Sequence, residues 1–172
     1  MNSVIVHYQE IALKGRNRPW FVERLVNNLR DVTRDLNIQQ VRPLMGRIEL
    51  TLGSECEWSM VRERVSRVFG IANYARAGRT TRDVDEIAAM VLGDLDRDER
   101  VSKERVECFR VRASRADKSY YLTSPELERE VGGRIKESKG WTVDLINPDL
   151  EIRVEVLPEC VFYALNKEPG QG

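Results

Sequence analysis

The chain has 172 residues, 41% of them hydrophobic and 33% charged, a makeup that fits a folded protein of one large domain or two small ones and excludes disorder. Its 28 Lys+Arg are matched by 28 Asp+Glu, so bulk charge cannot bind nucleic acid and any such binding must come from a local patch. No apolar run nears the roughly 20 residues that span a bilayer, and "MNSVIVHYQE" lacks a signal-peptide pattern, so a soluble cytoplasmic protein without membrane partners is expected.

In chain order, "SVIVHY" reads as a strand of β-branched and aromatic residues. After "QEIALKGRN", the residues Phe21, Leu25, Leu29, Val32 and Leu36 recur on one helical face. Asn17 or Arg18 is placed to cap that helix, with Pro19 in its first turn, where a missing N–H costs nothing. "VRPLMGRIELTL" predicts two short strands around a turn at Pro43 to Gly46. Trp58, Val61, Val65, Val68 and Phe69 predict a second helix with one buried face, stopped by Gly70. "IANYARA" closes a strand–helix–strand–strand–helix–strand order, which is the ferredoxin-like βαββαβ pattern, over residues 1–77. The polar "GRTTR", 78–82, reads as a linker.

The second half, 83–168, opens on Asp83 as a cap with Glu86 three residues on. Val84, Ile87, Ala88, Val91, Leu92 and Leu95 form a buried stripe, and "LDRDERVSKER" reads as a solvated loop. "VECFRVRA" alternates, with Cys108, Arg110 and Arg112 facing one way and Phe109, Val111 and Ala113 the other. Ser124 and Pro125 open a helix at cap and first position, with Leu127, Val131 and Ile135 inward. "WTVDL", "LEIRVEV" and "CVFYALN" follow as strands. The expected class is therefore α+β: a ferredoxin-like domain, then an α/β domain with helices on a mixed sheet.

The chemistry-bearing residues are few. Cys56, Cys108 and Cys160 stand far apart and His7 is the only histidine, which argues against a metal site, a Cys–His dyad and a disulfide scaffold. Positive charge, by contrast, gathers at Arg110, Arg112, Arg115 and Lys118, with only Asp117 against it. Alternate arginines on a strand stand about 6 to 7 Å apart. Their planar forks suit phosphate oxygens, and Tyr120 and Tyr121 offer faces for base stacking. Charge alone leaves a second reading open, in which the arginines pair with Glu151, Glu155, Glu126 or Glu130. "VGGRI" places Gly132 and Gly133 inside a helix, at a cost of roughly 0.8 to 1 kcal/mol each relative to Ala, as if something must approach the backbone; Arg134 follows. "LKGRNR" carries Lys14, Arg16 and Arg18 into a helix N-terminus, where either a phosphate or an ordinary surface turn fits.

Two stretches together carry a family resemblance. "YQEIALKGRNRPWFVERLVNNL" resembles the opening of the tRNA 4-thiouridine synthases (tRNA uridine sulfurtransferases, also named as thiamine-biosynthesis proteins). "FRVRASRADKSYYLTSPELEREVGGRI" with "VDLINPDLEIRVEV" resembles their THUMP domain, and the likeness runs from about Val4 to Asn166. It implies a ferredoxin-like domain and a THUMP domain that bind the tRNA acceptor stem and its 3′ CCA end. The matching RNA-binding positions are Arg110, Arg112, Arg115, Lys118, Arg134, Lys14, Arg16 and Arg18. Asn17, Ser124, Gly132, Gly133 and Asn147 match in structural or backbone-approach roles, with Gly15 and Pro148; Glu10 matches as an ion-pair partner rather than a catalyst. Such enzymes continue into an ATP pyrophosphatase domain with a Ser-Gly-Gly-x-Asp-Ser loop, and nothing like it occurs here. The resemblance therefore implies no catalytic residue and no cofactor in these residues, ATP and magnesium belonging to that other domain. Residues 169–172 read as the start of the linker to it, and a fragment of a longer enzyme is favoured over a module serving a separate subunit. A homodimer, or a protein-interaction module without RNA affinity, is the competing expectation; a small-molecule sensor lacks any fingerprint.

Overall fold

The computed structural model describes residues 1–9 and 17–171. Its chain divides into two compact units, Asn2–Arg76 with Lys167–Gly172, and Met1 with Ala77–Asn166.

In the first unit β1 (Ser3–Tyr8), α1 (Arg18–Val32), β2 (Ile38–Leu44), β3 (Arg47–Leu52), α2 (Trp58–Ser66) and β4 (Ile71–Thr80) follow the expected order. The strands lie in the sequence β2-β3-β1-β4, with β3 antiparallel to both β1 and β2. Val4, Ile5 and Val6 of β1 are buried on both faces of the strand, which is why this run is apolar throughout rather than alternating. Leu25 and Leu29 of α1, Val61 and Val65 of α2, and Ile48, Leu50, Ile71 and Tyr74 complete the core. Asn17 caps α1 through its backbone only, its carbonyl accepting from Phe21 N–H at 2.9 Å, without a side-chain cap.

The second helix departs from its expected face. It ends at Ser66, and the amides of Arg67 and Val68 turn to the carbonyls of Arg64 and Val65 at 3.2 and 3.1 Å. That tighter last turn keeps Val68 inside and swings Phe69 out, where it is 73% exposed.

In the second unit the later part of β4 pairs with β8 (Val161–Ala164), and the strand order is β4-β8-β7-β5-β6. Here β5 (Cys108–Arg115) runs parallel to β6 (Thr142–Val143) and β7 (Leu150–Val156), whereas β8 is antiparallel to its neighbours. The sheet is thus mixed, as expected. Ile87, Val91 and Leu95 of α3 (Val84–Arg97) and Leu127, Val131 and Ile135 of α5 (Ser124–Lys139) share a core with Phe109, Val111, Ile152, Val154 and Tyr163.

Three boundaries need correction. The stretch 78–82 is no linker at its start: Gly78, Arg79 and Thr80 pair with Tyr163, Phe162 and Val161. The charge run is not a loop but the last turn of α3 and a short α4 (Glu99–Lys103), because the Asp98 carboxylate accepts from the amides of Arg100 and Val101. The segment 169–172 begins in β9 (Glu168–Pro169), which pairs with Asn73 and Tyr74 of β4. Gly170 then passes so close to the chain that a Cβ would meet the Ile71 carbonyl oxygen at 2.0 Å, so only glycine fits. Among the described residues no helix is long and apolar enough to cross a membrane.

Candidate nucleic-acid interface

Strand β5 is built to present two arginines. Phe109 and Val111 are drawn into the core by the hydrophobic effect, and the period of two turns Arg110 and Arg112 to the opposite face. Arg110 lies across from Glu151 of β7, and Arg112 across from Arg153.

The four cations of the sequence motif meet different fates. Arg110 donates through Nη1 to the Leu145 carbonyl at 2.8 Å, and its buried Nε has no partner among the described residues. Arg112 donates through Nε to the Glu151 carboxylate, while its side chain stays about half exposed. Arg115 turns inward: Nη1 faces the carbonyls of Lys118, Tyr120 and Leu122 at 3.2, 3.5 and 3.2 Å, so it braces the loop that follows β5. Lys118, on that loop, is exposed. Among the described residues the reading in which acids absorb the arginines holds most directly for Arg112, which bonds Glu151; carbonyls bind Arg110 and Arg115, and Arg115 also helps hold the Glu126 carboxyl low through its charge.

The rest of the loop is pinned as well. Asp117 accepts from the Ser119 hydroxyl and amide at 2.6 and 3.0 Å and from Arg82 at 2.8 Å, and these bonds, the serine's first, hold its carboxyl below the usual range. Tyr120 is buried and donates its hydroxyl to the Arg82 carbonyl at 2.7 Å, with the Arg82 guanidinium 5.2 Å over its ring. Burial pushes that phenol upward. Tyr120 is therefore no stacking platform, in contrast to the expectation; Tyr121, 63% exposed, is the one available, and its hydroxyl accepts from the Val84 amide.

Helix α5 starts one residue earlier in role than expected. Thr123, not Ser124, is the cap: its hydroxyl accepts from the Glu126 amide and the Glu126 carboxylate accepts from the Thr123 amide. Gly132 faces β5, where a Cβ would lie 3.8 Å from Val111, and Gly133 is exposed with nothing within 4 Å. Arg134 is tied to α3, 2.5 Å from Asp85, and stands 3.9 Å from Glu130. Asn147 donates its amide to Asp144 and accepts from Cys108 Sγ, so it shapes the turn before β7. Asp144 is held low by the Asn147 and Ile146 amides.

In the first unit Arg18 is exposed at the start of α1, beside a cleft formed with Val22, Val26 and Leu44. Lys14 and Arg16, with Glu10 and Gly15, lie outside the described residues. Two arginines escaped the sequence reading. Arg153 shares the face of Arg112, and Arg82 holds the loop by three contacts, to Asp117, Tyr120 and the Pro158 carbonyl. The alternation of "LEIRVEV" already put Arg153 opposite the core, but which β5 residue it meets depends on register. Among the described residues no cluster of His, Cys, Asp or Glu is placed to hold a metal ion.

Residues 3–75 match the family model of the ThiI ferredoxin-like domain, and residues 81–164 match that of the THUMP domain. The chain belongs to these two domain families. Its THUMP part begins where β4 ends, and its β5 face is the arginine face described above. A probable tRNA sulfurtransferase of Alkaliphilus metalliredigens is 34% identical over 99% of this chain, which spans 43% of that relative's length. PH1313 of Pyrococcus horikoshii superposes with a TM-score of 0.87 at 31% identity, over 99% of this chain and 55% of that one. A 4-thiouridine synthetase solved as an RNA complex with bound ATP gives 0.81 at 29% identity, over 100% of this chain and 42% of that one. The chain thus spans less than half of the sulfurtransferase relative and of the synthetase.

Proposed function

We propose that this chain binds tRNA, recognising the acceptor stem and 3′ CCA end, and positions it for 4-thiouridine formation by an ATP-dependent sulfurtransferase. The observation that carries the reading is the β5 face, where Arg110 and Arg112 point away from the core and the Glu151 carboxylate lies between Arg112 and the neighbouring Arg153. Guanidinium forks so placed fit phosphate oxygens, and Tyr121 and Lys118 extend the surface along the next loop. Lys14, Arg16 and Arg18 form a second basic stretch in the other domain, and Arg134 contributes once its ion pairs exchange for phosphate. Arg115 acts through the loop it braces. The likeness to a synthetase solved with RNA supports the same partner. Adenylation of uridine, with its ATP and magnesium, belongs to an ATP pyrophosphatase domain outside these residues, so the chain by itself is a binding module.

Titration of tRNA with and without its CCA end across a salt series tests the reading. Neutralising about four phosphates of a single-stranded end gives a slope of log affinity against log salt near −3, from ~0.7 per phosphate. A flat salt response, or equal binding of both RNAs, sinks it.

One feature favours a second reading, a protein-interaction or homodimer module. Beside the edge strand β6, Val143, Leu145 and Ile146 are 50, 62 and 85% exposed. That reading predicts a stable dimer by light scattering and no tRNA affinity.

A further inference from the structure

We infer that Glu151 is the positioning residue of the arginine face: its carboxylate fixes Arg112, lies near the charge of Arg153, and leaves the outer edge of Arg112 to a phosphate backbone. The inference rests on the tRNA-binding reading above. Arg112 and Arg153 are register partners on parallel strands, so their backbones lie about 4.8 Å apart and their charges repel. Glu151 takes the inner edge of the first, accepting from Nε, and its same oxygen lies 4.0 Å from Nη2 of the second. The two Nη groups of Arg112 have no other protein partner among the described residues. With side-chain exposures of 51% for Arg112, 32% for Glu151 and 27% for Arg153, all three groups reach solvent, Arg112 the most.

A carboxylate on a face meant for a polyanion opposes binding at long range, so its place there calls for a compensating local effect. Anchoring Nε supplies one. It holds a long side chain in one rotamer, and the ordering cost is met before the ligand arrives. The opposite-facing alternative is plain neutralisation, in which Glu151 merely lowers the repulsion between two arginines. The two accounts predict opposite signs when the carboxylate is removed, which makes them separable.

The experiment measures affinity for CCA-ended tRNA and for heparin, across salt, on the whole chain carrying Glu151→Ala, Glu151→Gln, Arg112→Ala, or Glu151→Ala with Arg112→Ala. Positioning predicts that Glu151→Ala weakens tRNA binding about 2- to 10-fold despite the added positive charge, the loss expected for one unfixed side chain. Heparin, which accepts any cation geometry, binds Glu151→Ala no more weakly than the parent. Glu151→Gln keeps an oxygen for Arg112 Nε and restores tRNA binding to the parent level or above. The double variant loses no more than Arg112→Ala alone, because the two residues act as a unit. If Glu151→Ala strengthens tRNA and heparin in equal proportion, the carboxylate only neutralises and the inference is overturned, with the RNA reading intact. If the parent chain binds no tRNA, the RNA reading itself falls and takes the inference with it.

Discussion

Gly78 passes beneath the ring of Tyr163: a Cβ at that glycine would meet Cζ at 2.2 Å and the hydroxyl at 2.3 Å. The ring cannot step aside, because it is fully buried and its hydroxyl donates to Asp94. Gly78→Ala is therefore expected to destabilise the THUMP domain by about 1 to 3 kcal/mol, the usual range for overpacking a filled core. Urea unfolding checks this. An unchanged midpoint would mean that the ring moves freely.

Asp94 predicts an acid-dependent contribution. Burial raises its carboxyl, but the bonds from Tyr163 and Arg97 outweigh that and leave it below the usual range. A depressed carboxylate stabilises the fold above its unfolded value near pH 4, and this share is lost as pH falls through the lower folded value. The stability gap between the parent and Asp94→Asn should accordingly narrow below about pH 4 in urea melts at stepped pH. A constant gap would remove the ionised form from the account.

Arg115 and Arg112 should separate. Losing the donor that faces three loop carbonyls is expected to cost about 1 to 3 kcal/mol of stability in Arg115→Ala. The exposed Arg112 pair with Glu151 is worth at most about 1 kcal/mol. Thermal melts of the two variants settle the order, and a larger loss for Arg112→Ala would reverse the roles given to them.

In binding, the order inverts. Arg112→Ala should weaken tRNA binding and reduce the magnitude of the salt slope by ~0.7, the share of one phosphate on a single strand. Lys103→Ala, on the exposed flank of α4, should leave both unchanged. Equal losses in the two variants would point to general attraction rather than to this face.

Local pattern carried much of this architecture. The apolar run of β1, the helical stripe of α3 and the alternation of β5 each announced their element, since each depends on neighbours within a few residues. What escaped depends on residues distant in sequence. Gly78 resembles loop punctuation until Tyr163 is seen above it, and Gly170 until Ile71 is seen beside it. Phe69 falls on the buried face by helical spacing, because a tightened last turn leaves no periodic trace. Tyr120 and Tyr121 read alike in sequence, and only the Arg82 carbonyl and the core behind the loop send one in and leave the other out. The arginines were legible as a cluster, whereas their partners were not: Arg112 finds an acid, Arg115 finds carbonyls, and Arg134 finds another helix.

Strand β4 serves both domains, Ile71–Arg76 in one and Ala77–Thr80 in the other. A THUMP domain excised at its family boundary would therefore leave Val161 to Tyr163 as a bare edge. Such an edge invites association with other chains. Dissection that spares the whole of this strand should yield monodisperse protein where a cut at residue 81 yields aggregate.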